Sequence, residues 1–342
     1  MPDGVPALDT QHQAIGQSEA FLDLQERISM AARTSRPVIF IGERGTGKEL
    51  AAARLHMLSA RWSQPYVTLN CAALSPTLIE SELFGHEAGA FTGAMRQRKG
   101  RFEIADGGSL FLDEVANIPP PVQEKILRVV EYGQMERVGS SAALFVNVRL
   151  IAATHADLQA MARAGQFRQD LLDRLSFEVI TLPPLRARVE DIILLAEHFA
   201  RRMASELGYE TAPEIADRAK KMLLAYPWPG NVRELKNVIE RMVYRSGGEP
   251  IEEIVFDPFE SEWGREIKKI SPEGGTPEPH TPPEGGTANM SLVDEVAALE
   301  LRRIREALEA CRFNQKQAAE RLGLTYHQFR GYYKKYKERL GV

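Results

Sequence analysis

Cysteine is nearly absent from this chain, with Cys71 and Cys311 the only two in 342 residues. Two thiols so far apart make no metal-type cluster and fit a reducing cytoplasm, the expected location. Long apolar runs are missing as well. No eighteen consecutive apolar residues occur, so no membrane span is expected. The opening MPDGVPALDTQHQ lacks a basic start followed by an apolar stretch, which excludes a secretory signal. A strong net charge is lacking too, since 43 Lys/Arg against 47 Asp/Glu leave −4. That balance hides an asymmetry. Residues 291–342 hold 11 basic and 7 acidic side chains, and 311–342 hold 8 against 2. A basic tail on an acidic body suggests that only the tail meets nucleic acid, the alternative being a solvated surface helix.

What is present is ordinary for a globular protein, 44% hydrophobic and 26% charged, with enough chain for two domains or one large one. From Glu260 to Met290 the composition shifts to Pro, Gly, Glu and Thr, and PEGGT appears twice, at 272–276 and 283–287. Such a stretch buries too little apolar surface to offset ordering entropy and reads as a linker. Before it, five short apolar runs bounded by turn signals read as buried parallel strands: Val38–Ile41, Tyr66–Leu69, Leu110–Leu112, Val148–Ile151 and Phe177–Ile180. Helical patterns between several of them fit one doubly wound sheet. After Pro183-Pro184 three amphipathic stretches, near 190–207, 214–226 and 231–246, predict a small helical subdomain. In the last, Asn231 is expected as the N-cap.

The first apolar run leads into Gly42-Glu43-Arg44-Gly45-Thr46-Gly47-Lys48-Glu49. A strand, a glycine-rich loop and a helix in that order make a phosphate cradle. Glycines let backbone N–H groups converge, the helix N-terminus adds positive potential, and Lys48 reaches the β- and γ-phosphates of ATP. The usual Ser or Thr after the lysine is Glu49, so Mg2+ must find other ligands, through Thr46 or water. The run Ser109–Leu112 ends in Asp113 and Glu114, which at the C-terminal edge of a parallel sheet would face the same crevice. Asp113 suits magnesium, and Glu114 suits polarising the attacking water. These motifs predict an NTPase.

Between them lies ESELFGHEAGAFTGA, whose tip is Gly89-Ala90-Phe91-Thr92-Gly93-Ala94. One aromatic among Gly, Ala and Thr suits a mobile loop offering a single apolar anchor to a partner. The string GAFTGA resembles the signature of the sigma-54-dependent activators, the bacterial enhancer-binding proteins. The likeness runs from about Ile15 through GERGTGKEL, LNCAAL, ADGGSLFLDE, VQEKILRV, WPGNVRELKN and LGLTYHQFR. It implies an α/β AAA+ P-loop domain with a five-stranded parallel sheet and a helical lid. It also implies a ring, a hexamer in the family, that hydrolyses ATP to open the closed promoter complex of sigma-54 RNA polymerase. The GAFTGA residues would contact sigma-54, and the segment Tyr132–Ser140 matches a second pore loop moving with them. Asn70 matches the family's switch asparagine, which couples Glu114 to the nucleotide state. Arg168 and Arg174 match the pair that supplies arginine fingers to a neighbouring subunit; on a continuous helix they would point some 120° apart. Arg233 matches the second sensor. The first sensor falls at Thr154-His155, where relatives usually carry Thr-Asn.

Beyond the linker, Leu292–Cys311 reads as one amphipathic helix. Asn314 can cap a second over 315–322, Gly323 ends it, Leu324 plugs the turn, and Thr325 caps a basic helix through Arg339. This is helix-turn-helix grammar and resembles the all-α Fis-type module of the same family. Thr325, Tyr326, His327, Gln328, Arg330 and Lys334 are the candidates to meet double-stranded DNA upstream of promoters. The expected division is a short tail (1–13), an ATPase subdomain (14–184), a lid (185–257), a linker (258–290) and a DNA-binding domain (291–342).

Family members commonly carry an N-terminal sensory domain, whereas here the ATPase is expected within about fifteen residues of Met1. Control is therefore expected in trans. Resemblance to the phage-shock branch of the family, whose target would be a phage-shock stress operon, implies phage shock protein A as inhibitor. Trp62 is a candidate contact, with partly buried packing as its alternative role. A protein unfoldase would keep the ATP motifs but has no reason to carry GAFTGA or a helix-turn-helix. A repressor with a vestigial ATPase has no reason to keep Lys48, Asp113 and Glu114.

Overall fold

The computed structural model describes residues 14–91, 93–259, 292–311, 314–322, 324, 326, 329–330 and 333. Two compact units divide the chain, Met1–Lys269 and Ile270–Val342. The expected tail over 1–13, the linker beyond Phe259, and Thr92, Gly323, Thr325, His327, Gln328 and Lys334 lie outside the described residues.

In the first unit the five expected strands form one parallel sheet. They are β1 (Val38–Ile41), β2 (Tyr66–Asn70), β5 (Ser109–Asp113), β8 (Arg149–Thr154) and β9 (Glu178–Thr181), in spatial order β2-β5-β8-β1-β9. Side chains alternate across the sheet because strand residues have period two. Val38, Phe40, Phe111, Ile151 and Ala153 face helices α1 (Glu19–Ala32) and α2 (Lys48–Met57). Ile39, Leu110, Leu112, Leu150 and Ala152 face α3 (Pro76–Phe84), α5 (Pro120–Tyr132) and α7 (Gln169–Leu175). All six residues of the central β8 are buried, as a strand covered on both faces requires. Short elements complete this layer: the ribbon β3 (Gly85–His86) with β4 (Arg98–Lys99), helix α4 (Arg101–Ile104), the ribbon β6 (Gln134–Met135) with β7 (Leu144–Phe145), and helix α6 (Leu158–Arg163).

The lid has its own core. Helices α8 (Val189–Glu206), α9 (Asp217–Ala225) and α10 (Asn231–Ser246) pack Leu195, Phe199, Leu223, Leu235 and Ile239 around Trp228. The fully buried indole of Trp228 donates through Nε1 to the Leu223 carbonyl at 2.8 Å, so its one polar atom is satisfied. Asn231 is not the N-cap of α10. That position is Gly230, and Asn231 is the first helical residue, in a left-handed conformation (φ +53°) with its side chain turned toward the phosphate loop.

In the second unit, α11 (Leu292–Ala310) and α12 (Gln315–Arg321) enclose Ile304, Ala307, Leu308, Ala318, Ala319 and Phe329. The Asn314 carboxamide oxygen accepts from Lys316 N and Gln317 N, the expected cap. Tyr326 and Arg330 are exposed, and Tyr333 packs beside Phe329.

Asp191, at the start of α8, is fully buried and holds the beginning of α1. It accepts from Gln17 N at 2.7 Å, Ser18 N at 2.9 Å, Ser18 Oγ at 2.7 Å and Arg188 Nε at 2.8 Å. Burial pushes the carboxyl pKa up, but the hydrogen bonds from Gln17, Arg188 and Ser18 outweigh it and hold it below the ordinary value. A depressed folded-state pKa contributes stability that is present above the unfolded value of about 3.9 and is lost as pH falls through the folded one. Asp191→Ala leaves the buried Arg188 guanidinium without its carboxylate and is expected to cost about 3–5 kcal/mol. The Asp191→Ala variant should also lose part of the wild-type decline in stability below pH 4, read from urea midpoints across pH.

Candidate functional site

The phosphate loop leaves β1 at Gly42 and enters α2 at Lys48. Gly47, the N-cap of α2, sits at φ +97° with nothing near the place a Cβ would take, an open backbone cradle at a helix N-terminus. Gly45, at φ +80°, runs against the Gly230 carbonyl of the lid, where any Cβ would collide. Lys48 is almost fully buried, and its Nζ donates to the Gly42 carbonyl at 2.9 Å and the Glu43 carbonyl at 3.2 Å. Burial lowers its pKa, an effect partly offset by Glu114 and Asp113. The ammonium is held inside the loop's curve, where an anion would meet it.

Parallel register brings the acidic residues to the same edge. Asn70 pairs with Asp113 at the ends of β2 and β5, and β8 ends beside them at Thr154. Burial, followed by the charge of Glu114, raises the Asp113 pKa. Glu114 sits in a left-handed conformation (φ +53°), so the chain turns sharply as it leaves the strand. Residues 44–49, Asn70, Asp113, Glu114, Arg188, Arg233 and Lys236 line one cavity of about 640 Å³. Its apolar side is built from Ile15, Phe21, Leu24, Leu195 and Phe199, and the buried polar atoms Gln25 Oε1 and Arg54 Nε have no protein partner. Charge at one end, an apolar slot at the other and polar atoms awaiting partners fit a nucleotide.

The structure separates what the sequence suggests together. Asn70 Nδ2 donates to Asp113 Oδ2 at 3.3 Å, while Glu114 Oε2 meets His155 Nδ1 at 2.8 Å. Thr46 Oγ1 donates to the Glu43 carbonyl at 2.9 Å. The Glu43 side chain faces the lid, where Arg186 and then Asn231 lower its pKa to about 2. Arg168 precedes α7 in an extended conformation, so the 120° estimate, which assumed one continuous helix, does not apply. It pairs with Asp170 at 2.7 Å and Arg174 with Glu131 at 2.8 Å, and neither lines the cavity. Trp62 is 67% exposed, which overturns its packing alternative.

The GAFTGA segment caps the β3–β4 ribbon. Phe91 is 44% exposed, with its ring edge-on to His86 at 4.9 Å, and Gly89 (φ +82°) and Gly93 (φ +102°) stand in open space. The expected second loop touches its base: Glu87 N donates to Val138 O at 3.0 Å, and Val138 N donates to Gly85 O at 3.0 Å. Arg137 binds Glu87 at 2.8 Å and also grips Glu103.

Sequence reasoning missed two buried amides. Gln123, on the apolar face of α5, accepts from Arg168 N at 2.8 Å and donates to the Ile118 carbonyl, fixing where Arg168 starts. Asn231 Nδ2 donates to the Arg44 carbonyl at 3.0 Å and to Glu43 Oε2 at 3.1 Å, while its Oδ1 accepts from Leu185 N at 2.8 Å. A polar residue inside an apolar repeat was the available signal for the first. The second had none, since Asn before a helix reads as a cap.

The family model for the sigma-54 interaction domain matches residues 14–181, that for the AAA+ ATPase lid domain 186–272, and that for the bacterial regulatory proteins of the Fis family 295–336. The Psp operon transcriptional activator of Escherichia coli (strain K12) is 51% identical over 325 residues, 94% of this chain and 97% of that protein. The chain belongs to the sigma-54-dependent AAA+ activators. The transcriptional regulatory protein ZraR of Salmonella typhimurium is 49% identical over 266 residues, 76% of this chain and 60% of that protein. A crystal structure of NtrX from Brucella abortus in complex with ATP superposes with a TM-score of 0.66 at 32% identity, covering 96% of this chain and 69% of that one. As a sigma-54 activator the chain is a nucleotide-binding ATPase with a DNA-binding helix-turn-helix. Among the described residues no helix is long and apolar enough to cross a membrane.

Replacing Asn231 by Ala removes its hydrogen bonds to loop and lid and leaves the buried Leu185 N and the part-buried Arg44 carbonyl without that partner. At about 1–3 kcal/mol per unsatisfied buried group, ATP affinity should fall roughly tenfold or more. Titration of a fluorescent ATP analogue checks this, with the lid core reported separately by Trp228 fluorescence.

Proposed function

We propose that this activator binds ATP between the subunits of a ring, a hexamer, and spends its hydrolysis on converting the closed sigma-54 RNA polymerase promoter complex into an open one. The observation that supports this most is the convergence of Lys48, Asp113, Glu114 and Arg233 on one cavity. Backbone N–H groups of the loop from Gly42 to Glu49 cradle the phosphates, Lys48 meets their charge, and Arg233 senses the nucleotide from the lid. Asp113, half-buried in the cavity wall and raised in pKa, would supply a carboxylate to Mg2+, and the ion would neutralise charge developing on the phosphates. Glu114 orients the attacking water. Arg168, half-buried, and Arg174, exposed, both lie outside their own cavity and serve the neighbouring subunit's nucleotide.

Gly89, Ala90, Phe91, Thr92, Gly93 and Ala94 present the sigma-54 contact, with Phe91 as its apolar anchor. The contacts of Val138 and Arg137 with the ribbon support joint movement of the two loops. Upstream DNA is read by the basic module through Thr325, Tyr326, His327, Gln328, Arg330 and Lys334. Similarity to the Psp operon activator supports a phage-shock stress operon as target and phage shock protein A as inhibitor, acting on the exposed Trp62 in the cytoplasm.

Glu114→Gln should bind ATP with near wild-type affinity and lose hydrolysis by at least about 100-fold, because it removes only a water-orienting base. Phosphate release measured beside nucleotide binding decides this, and normal turnover would discard the assignment. Phe91→Ala should keep ATPase activity within about twofold and lose capture of sigma-54 in the presence of a transition-state nucleotide analogue. A capture equal to wild type would remove the loop from the interface.

Trp62→Ala should keep wild-type turnover and escape inhibition by purified phage shock protein A. Undiminished inhibition of a folded variant rules out that contact, and failure of the inhibitor on wild type rules out the partner.

A further inference from the structure

The geometry points to Gln25 and Arg54 as the pair that reads the base of the nucleotide and selects adenine, an inference resting on the reading that ATP occupies the cavity beside Lys48. Two buried polar atoms in the lining of that cavity have no protein partner: Gln25 Oε1, an acceptor, and Arg54 Nε, a donor. A buried polar atom left unpaired costs free energy, so both stand open to groups on a ligand. Neither residue falls in the strings that carry the family likeness.

Their place in the fold suits the base end. α2 begins at Lys48, and Arg54 lies six residues further along it, about 9 Å from the phosphate end at 1.5 Å per residue. Leu50 and Arg54, four residues apart, share one face of α2, and Phe21 and Gln25 share one face of α1 in the same way. All four line the cavity. The two helices meet in one apolar core, Leu24 and Ile28 with Ala51, Ala52 and Leu55. Phe21 and Leu50, with Leu195 and Phe199 of the lid, give a planar ring apolar surroundings, and one turn along each of α1 and α2 stands a polar atom for its edge.

The kinds of atom decide which base fits. The edge of a purine farthest from its sugar carries N1 and the group on C6. In adenine these are an acceptor and an amino donor, which Arg54 Nε and Gln25 Oε1 answer one for one. Guanine reverses both, with O6 facing the Gln25 oxygen and N1–H facing Arg54. Turning the amide over would satisfy O6, but a guanidinium only donates, so N1–H stays opposed. Buried groups left in that state reject the wrong base.

Equilibrium binding of triphosphates to the full-length protein, in competition with a fluorescent ATP analogue, tests this. Purine riboside triphosphate, which lacks only the 6-amino group, should bind wild type about tenfold or more weakly than ATP. The same loss is expected for 1-deaza-ATP and for GTP, while 7-deaza-ATP stays within about threefold of ATP. Gln25→Leu should weaken ATP about tenfold and leave purine riboside triphosphate within about threefold of its wild-type Kd, because the amino group and its acceptor act as a pair. Arg54→Met should behave in the same way toward ATP and 1-deaza-ATP. Inorganic triphosphate, which has no base, should bind wild type and both variants within about threefold, a readout that a damaged fold would move. The inference is overturned if wild type binds ATP, purine riboside triphosphate and 1-deaza-ATP alike, or if the ligand-side and protein-side losses multiply in full. The wild-type series decides even where a variant does not fold. Lys48→Ala separates the two levels. If it binds ATP as wild type does, the nucleotide lies outside this cavity and the inference falls with that reading. If it loses ATP while wild type treats the analogues alike, only the roles of Gln25 and Arg54 fail.

Discussion

The carboxamide of Asn231 is where the two halves of the ATPase unit become one. Three of its hydrogen bonds join the phosphate loop (Arg44 carbonyl, Glu43 carboxylate) to the chain entering the lid (Leu185 N). Two more come from the helix it opens, as Val232 N and Arg233 N both donate to the Gly45 carbonyl at 3.1 and 3.3 Å. The first turn of α10 therefore spends its free N–H groups on the loop and not on a side-chain cap, which is why Asn231 is not an N-cap. The same arrangement delivers Arg233 to the cavity. Gly45 has to be glycine for this close approach, since a side chain there would strike Gly230.

A second tie closes the opposite wall. Asp191 anchors the start of α1 to α8, so the apolar slot of Ile15 and Phe21 is built by a segment that the lid itself holds. The phosphate loop and the apolar slot are thus both tied to the lid. A nucleotide that bridges them gains affinity by fixing the lid, and a change at the phosphates is felt at both ties. The GAFTGA segment draws on separate contacts. Arg137 bridges Glu87 and Glu103, linking the GAFTGA ribbon, α4 and the second loop into one charged cluster.

Much of this was legible in the sequence because it rests on period and adjacency. Five apolar runs gave five parallel strands, and GERGTGK gave a strand, a loop and a helix in order. The acidic pair fell beside the phosphate loop because parallel strands end at one edge. The rest turns on contacts between residues far apart in the chain. Asn231 and Arg44 are 187 positions apart, and His155 and Glu114 are 41 apart. No local pattern encodes such meetings. Arg168 shows the reverse failure: a helical projection was applied one residue before the helix begins, where the chain is still extended.

The electrostatics of the cavity suit an anion at one end of it. Lys48 is nearly buried, is made less basic by that burial, and bonds only to carbonyls of its own loop, while Asp113 is made less acidic by burial and by Glu114. Each charge is costly where it stands, and the phosphates of a nucleotide would relieve the ammonium. Binding energy then comes from settling charges that folding has left unsettled. Glu114 is the exception. Its Oε2 meets His155 Nδ1 at 2.8 Å, and His155 does not line the cavity, so this contact stands apart from the charges that meet inside it.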